Sequence, residues 1–198
     1  MLNSAEIEQK KLNDYISFHK PAIGNDEINE VVECLKSGWL TTGSRTKRFE
    51  DEFARYIGAK FAVALNSCTA ALHLALEATG IQSGDIVIVP TMTFAATAEV
   101  VRYFNAIPVF ADSLETDYCM DMNALENLLE KLQKGETVKG MSIKNPKVKV
   151  RAVIPVHFGG RLADSVKCQS LKSKYGFIQI EDCAHICPAY FRDESGHW

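Results

Sequence analysis

From Phe61 onward the chain alternates two kinds of hydrophobic pattern. Short, continuous apolar runs occupy Phe61–Leu65, Asp85–Pro90, Pro108–Ala111, Lys149–Val156 and Phe177–Asp182. Between them lie segments whose apolar residues recur every three or four positions: Thr69–Thr79, Phe94–Phe104, Met122–Leu132 and Ala163–Tyr175. The first kind predicts strands and the second predicts helices. Runs such as Ile86-Val87-Ile88-Val89 have no polar alternates, which suits strands covered on both faces. Strands alternating with helices predict an α/β fold, a three-layer and mostly parallel sheet.

Two further helices precede this alternation. In Asn25–Lys36, Ile28, Val31, Val32 and Leu35 fall at helical spacing, Asp26 and Glu27 suit the positive N-terminus, and Gly38 provides a stop. In Thr46–Ile57, Phe49, Phe53, Tyr56 and Ile57 share one face and Gly58 follows. Residues 1–20 read as an N-terminal leader, with an extended piece at Ile16-Ser17-Phe18, and 21–198 as the domain proper. The polar, lysine-rich stretch Gln133–Lys147 reads as a surface insertion before the fourth strand.

Composition narrows the class without fixing it. Hydrophobic residues make up 46% and charged residues 24%, as in ordinary globular proteins, and the net charge is −3. With no basic stripe, nothing points to nucleic acid. The N-terminus lacks the apolar core of a signal peptide, and no run is long enough to span a bilayer. The six cysteines (34, 68, 119, 168, 183 and 187) are scattered through strand-like and helix-like segments. That suits reduced thiols in a cytoplasmic protein better than a disulfide framework.

The candidate chemistry lies at the C-terminal ends of the predicted strands, where open α/β sheets bind ligands. The first run enters Asn66-Ser67-Cys68-Thr69, a tight turn of small residues before a helix. Free backbone N–H groups there can hold a phosphate, although Ser67 or Thr69 can equally serve as a simple N-cap. Phe94 follows the second run and either plates a planar ring or fills the core. His157 follows the fourth run, as a ligand-edge residue or a satisfied turn histidine. Asp182 closes the fifth, ahead of His185, and either meets a cofactor, caps a helix or forms half of a salt bridge. No Gly-x-Gly-x-x-Gly follows a strand and no P-loop occurs, so the usual nucleotide-binding folds do not fit.

Together these turns supply an anion cradle, an aromatic plate, a histidine and an acid at one sheet edge. A planar, phosphorylated, nitrogen-containing ring would use all of them. Pyridoxal 5'-phosphate fits, with Asp182 keeping the pyridine nitrogen protonated. Cys183, His185, Cys187 and the distant His197 also suggest a metal site, but their spacing matches no standard zinc pattern, and no metal ligand is assigned.

The sequence resembles the DegT/DnrJ/EryC1/StrS family of sugar aminotransferases, fold-type I pyridoxal-phosphate enzymes, from about Phe18 to Tyr190. The matching stretches are Ser37–Gly43, Asn66–Leu76, Pro90–Phe94, Pro155–Gly160 and Glu181–His185. The resemblance implies that Ser67, Cys68 and Thr69 hold the cofactor phosphate, that Phe94 stacks on the pyridine ring, that Asp182 pairs with its nitrogen, and that His185 lies near the ring hydroxyl. It implies a keto-sugar nucleotide as acceptor, glutamate or glutamine as amino donor, and a homodimer with the Gly38–Gly43 loop at its interface. Cys68 stands where many members have glycine, and Ser44 where proline is common.

Family members are about twice as long, and their Schiff-base lysine follows the acid by a few tens of residues. No lysine of this sequence stands in that context. The chain is therefore expected to be the N-terminal part of the large domain, without turnover alone. The alternative expectation is a non-catalytic remnant that binds cofactor or pairs with a full-length paralogue.

Overall fold

Ile86, Val87, Ile88 and Val89 are all fully buried, and alternate members of this run point into two different cores. They form β1 (Ile86–Pro90), the inner strand of a sheet in a computed structural model that describes residues 19–136, 138 and 149–190. β1 lies between β2 (Ile107–Ala111) and β3 (Val150–Val153), and β4 (Ile178–Gln179) flanks β3. All three pairings are parallel, in the order β2-β1-β3-β4.

The helices cover both faces, as a parallel sheet requires. Ile86 and Ile88 pack with Leu125, Leu128 and Leu129 of α5 (Met122–Gln133) and with Cys168 and Leu171 of α6 (Ser165–Tyr175). Val87 and Val89 pack with Leu72 and Leu76 of α3 (Cys68–Ala78) and with Val100 and Val101 of α4 (Ala96–Arg102). The result is the three-layer α/β arrangement expected from the sequence.

Local signals explain the helix limits. Asp121 and Asp164 cap α5 and α6, accepting from Asn123 N and Lys167 N. Gly176 ends α6 with φ of 75°, a left-handed conformation that favours glycine. At the N-terminal edge of the sheet Arg151 Nε donates to Asp85 Oδ2 at 2.9 Å, tying β3 to the start of β1 away from the ligand edge.

Three sequence expectations are corrected. Phe61–Leu65 is not a strand: it is irregular and joins none of the four strands, while Phe61, Val63 and Leu65 are 76%, 74% and 41% exposed. Five apolar residues in a row suit a strand, but such a run is driven into a sheet only where its side chains are buried, and three of these five are exposed. The fourth strand stops at Val153 instead of Val156, because Pro155 has no N–H to continue the ladder. The fifth is regular only over Ile178–Gln179, and looser pairing carries it on through Ile180 N to Val153 O, Asp182 N to Pro155 O and His157 N to Asp182 O.

The chain divides into two compact units, residues 1–62 and 63–198. Within the first, α1 (Asn25–Ser37) and α2 (Ser44–Ile57) form near the predicted positions. α1 buries none of its residues, and Ile28, Val31 and Leu35 are all more than half exposed. Glu30 accepts from both Arg45 and Arg48, joining the two helices. The expected leader lies outside the described residues apart from 19 and 20, as does most of the expected insertion.

Candidate functional site

Asp182 joins three of the predicted turns. It is 5% exposed and is placed by the loose extension of β4 alongside Val156. Its Oδ1 accepts from Cys68 Sγ at 3.6 Å and from Ala184 N at 3.2 Å. Its Oδ2 accepts from Thr97 Oγ1 at 3.0 Å. Cys68 opens α3, and Thr97 lies in the first turn of α4. The acid therefore fastens the ends of two helices that cover the same sheet face. A carboxylate has about four acceptor positions, so one remains after these three donors.

The Ser67 turn is both a cap and an open helix end. Ser67 Oγ accepts from Ala70 N at 3.1 Å, and Ser67 O accepts from Ala71 N. The N–H groups of Cys68 and Thr69 come earlier in the turn and take no partner among the described residues. Two outward donors at the positive end of an eleven-residue helix make an anion cradle. The Cys68 thiol is held above the ordinary thiol range, first by desolvation where it lies against the protein and then by the Asp182 carboxylate. It therefore meets Asp182 as a neutral donor.

Phe94 is 77% exposed. That disposes of the reading as a core phenylalanine. Its carbonyl accepts from Thr97 N at 3.1 Å, which ties the aromatic turn to the residue that bonds Asp182. Thr93 Oγ1 lies 2.7 Å from Thr97 Oγ1.

The two histidines separate clearly. His157 is buried, its Nδ1 accepts from Ala163 N at 3.1 Å, and its Nε2 lies 3.9 Å from Glu181 Oε1. It is a turn-fixing residue, the plainer of its two readings. His185 is exposed, and its Nδ1 accepts from Gly159 N at 3.1 Å. The proton of the neutral ring then sits on Nε2, which is left as a donor. Gly159 reaches this position with φ of 58°. The Phe158 ring meets His185 edge-on at 5.8 Å and Tyr118 at 6.0 Å, bracing the imidazole from one side.

The structure thus brings Ser67, Cys68, Phe94 and Asp182 into one bonded neighbourhood, with Thr69 on the same helix end. It sets His185 on the loop that leaves Asp182. Thr93 and Thr97 escaped the sequence reading because threonine early in a helix normally signals capping. The informative signal is Thr97's position in an otherwise apolar face that includes Val100 and Val101. Among the described residues no group of three or more His, Cys, Asp or Glu could hold a metal, and His197 lies outside them.

These residues fit a phosphorylated pyridine ring. The open helix end suits the phosphate, the exposed ring suits stacking, and Asp182 retains an acceptor position for a ring N–H. Residues 21–196 match the DegT/DnrJ/EryC1/StrS aminotransferase family. The Bacillus subtilis spore coat polysaccharide biosynthesis protein SpsC is 43% identical over 176 residues, covering 89% of this chain and 41% of that protein. An aminotransferase from Psychrobacter cryohalolentis superposes with a TM-score of 0.74 at 29% identity, covering 88% of this chain and 41% of the other. A proposed sugar aminotransferase of Streptococcus pneumoniae in its PLP form gives 0.73 at 31% identity, with 87% and 44% covered. The chain spans about 40% of the length of the relatives it matches.

Proposed function

Because the chain belongs to the DegT/DnrJ/EryC1/StrS aminotransferase family, we propose that residues 63–190 form the pyridoxal-phosphate cradle of a sugar aminotransferase. The observation that carries this reading is Asp182: a buried carboxylate, fixed by three donors from three segments, with one acceptor position left. When bound, pyridoxal phosphate supplies an electron sink and a temporary carrier for the amino group.

The chain's own residues do the holding. The N–H groups of Cys68 and Thr69, at the end capped by Ser67, receive the phosphate. Phe94 covers one face of the ring and keeps water from it. Asp182 accepts the pyridine N–H and so keeps that proton on the ring. His185, with its proton on Nε2, donates to the ring hydroxyl.

The amino acceptor is a keto-sugar nucleotide, and the donor is glutamate or glutamine. The naming of SpsC for polysaccharide biosynthesis supports a role in making an amino sugar for a surface polymer. In the full-length enzyme two copies pair, with the Gly38–Gly43 loop at the interface. The protein works in the cytoplasm, in keeping with six free thiols.

Equilibrium dialysis with pyridoxal phosphate tests the cradle. The protein binds the cofactor saturably, and Phe94→Ala weakens binding by roughly threefold to tenfold, the worth of one aromatic stacking contact. Absence of saturable binding, or a Phe94→Ala variant that binds as well as the parent, overturns the reading.

A further inference from the structure

We propose that Thr97 is a positioning residue for the cofactor's ring nitrogen, acting through Asp182 at the end of a directed hydrogen-bond relay that starts at Thr93. The proposal rests on the cradle reading above and adds to it the group that fixes the acid's orientation.

The direction of the relay follows from counting hydrogens. A threonine hydroxyl has one proton to give, and an ionised carboxylate has none. Thr97 Oγ1 lies 3.0 Å from Asp182 Oδ2, so Thr97 gives its proton there. Its 2.7 Å contact with Thr93 Oγ1 must then be one in which Thr93 donates and Thr97 accepts. The chain runs Thr93 to Thr97 to Asp182 and ends on a carboxylate oxygen, and each donor is polarised by the next.

Burial makes the relay rigid. Thr97 is 0% exposed. A β-branched side chain has few χ1 choices in a helix, and close packing removes the rest. Threonine in a helix commonly turns its hydroxyl back to a carbonyl of the preceding turn. Thr97 instead bonds a residue 85 positions away.

The two carboxylate oxygens are not equivalent. Oδ1 accepts from both Cys68 and Ala184, whereas Oδ2 accepts from Thr97 alone. Oδ2 therefore keeps the open acceptor position, and Thr97 is the only group among the described residues that holds it. Without that bond only the two donors on Oδ1 resist rotation about Cβ–Cγ, and Oδ2 loses the one group that holds it directly. The ring N–H then meets an oxygen that is held less firmly.

The test is a cycle of variants and ligands. Pyridoxamine phosphate and an analogue with C–H in place of the ring nitrogen are titrated, by fluorescence, against the parent protein, Thr97→Val and Thr97→Ser. Thr97→Val keeps the shape and removes the donor, whereas Thr97→Ser keeps the donor. Thr97→Val weakens pyridoxamine phosphate binding by about tenfold, as loss of a charge-assisted bond does, and leaves the carbon analogue's binding unchanged. Thr97→Ser binds both as the parent does. Thr93→Val, at a half-buried position, repeats the selective loss on a smaller scale and stands in should Thr97→Val fail to fold.

Equal weakening of both ligands by Thr97→Val would mean that Thr97 serves structure only, and an unweakened Thr97→Val would mean that it does nothing for the ring; either result overturns the proposal and leaves the cradle standing. A parent protein that binds no pyridoxamine phosphate, or fails to distinguish it from the carbon analogue, overturns the cradle's use of Asp182 and this proposal with it.

Discussion

A buried carboxylate is tolerated only when its oxygens are bonded, and Asp182 meets that condition with donors that are 114, 85 and 2 residues away in sequence. The sequence marked the acid, because its place at a strand end was legible from the apolar run before it. It did not mark the donors, because hydrogen-bond partners depend on which helix ends the fold brings together. The same limit explains the histidines: both follow strand-like runs, and only the structure shows His157 turned inward and His185 outward. Phe94 was ambiguous for a related reason, since an aromatic at a strand end can face the core or the solvent. One consequence concerns Cys68. Desolvation raises its thiol pKa most, and Asp182 raises it further by charge and by hydrogen bonding, so the thiolate is scarcer at a given pH than in a free cysteine. The substitution Asp182→Asn removes the charge, lowers that pKa and speeds alkylation. At pH 8 this variant should show a several-fold higher iodoacetamide labelling rate at Cys68, read by peptide mass spectrometry. An unchanged rate would contradict the contact.

At the scale of elements, the inner strand and the failed strand make a useful contrast. Ile88 is fully buried and lies in a core with helices α5 and α6. Ile88→Ala should therefore cost about 2–5 kcal/mol in denaturant unfolding, the usual cost of a core cavity. Val63 has equal strand character in sequence but is 74% exposed. Val63→Lys should shift stability by less than about 0.5 kcal/mol. A large loss on Val63→Lys would mean that Phe61–Leu65 is packed after all. Apolar periodicity reports the fit of a segment to a strand or helix; it cannot report whether a partner is at hand. The same gap appears in α1, whose helical spacing and stop at Gly38 were correct while its apolar face stays exposed.

The helix α6 gives a pH prediction. Burial of Cys168 raises its thiol pKa from an ordinary 9.0 to about 11. Above pH 9 the unfolded chain loses this proton while the folded chain keeps it. The native state then binds more protons, so stability falls as pH rises from 9 towards 11. Thermal melts across that range should show a steeper decline for the parent than for Cys168→Ala. Equal slopes would contradict the assignment.

At the scale of the molecule, most of the architecture was readable. Four of the five expected strands form, all parallel, with helices on both faces, because uninterrupted apolar runs separated by amphipathic segments allow few other folds. Strand ends were less readable, since Pro155 and the looser pairing near Asp182 shorten the regular ladder. The family matched over residues 21–196 agrees with the motifs that the strand ends carry. Among the described residues no helix is long and apolar enough to cross a membrane. The site's residues all lie within the second compact unit. The central claim is that this unit holds a pyridoxal-type cofactor by its ring nitrogen through Asp182. Isothermal titration of pyridoxamine phosphate into the parent protein and into Asp182→Asn tests it most directly. The account predicts saturable binding by the parent and a loss of about tenfold or more in the variant, the worth of one bond to a charged group. Equal affinity in the two proteins, or no binding by the parent, would contradict it.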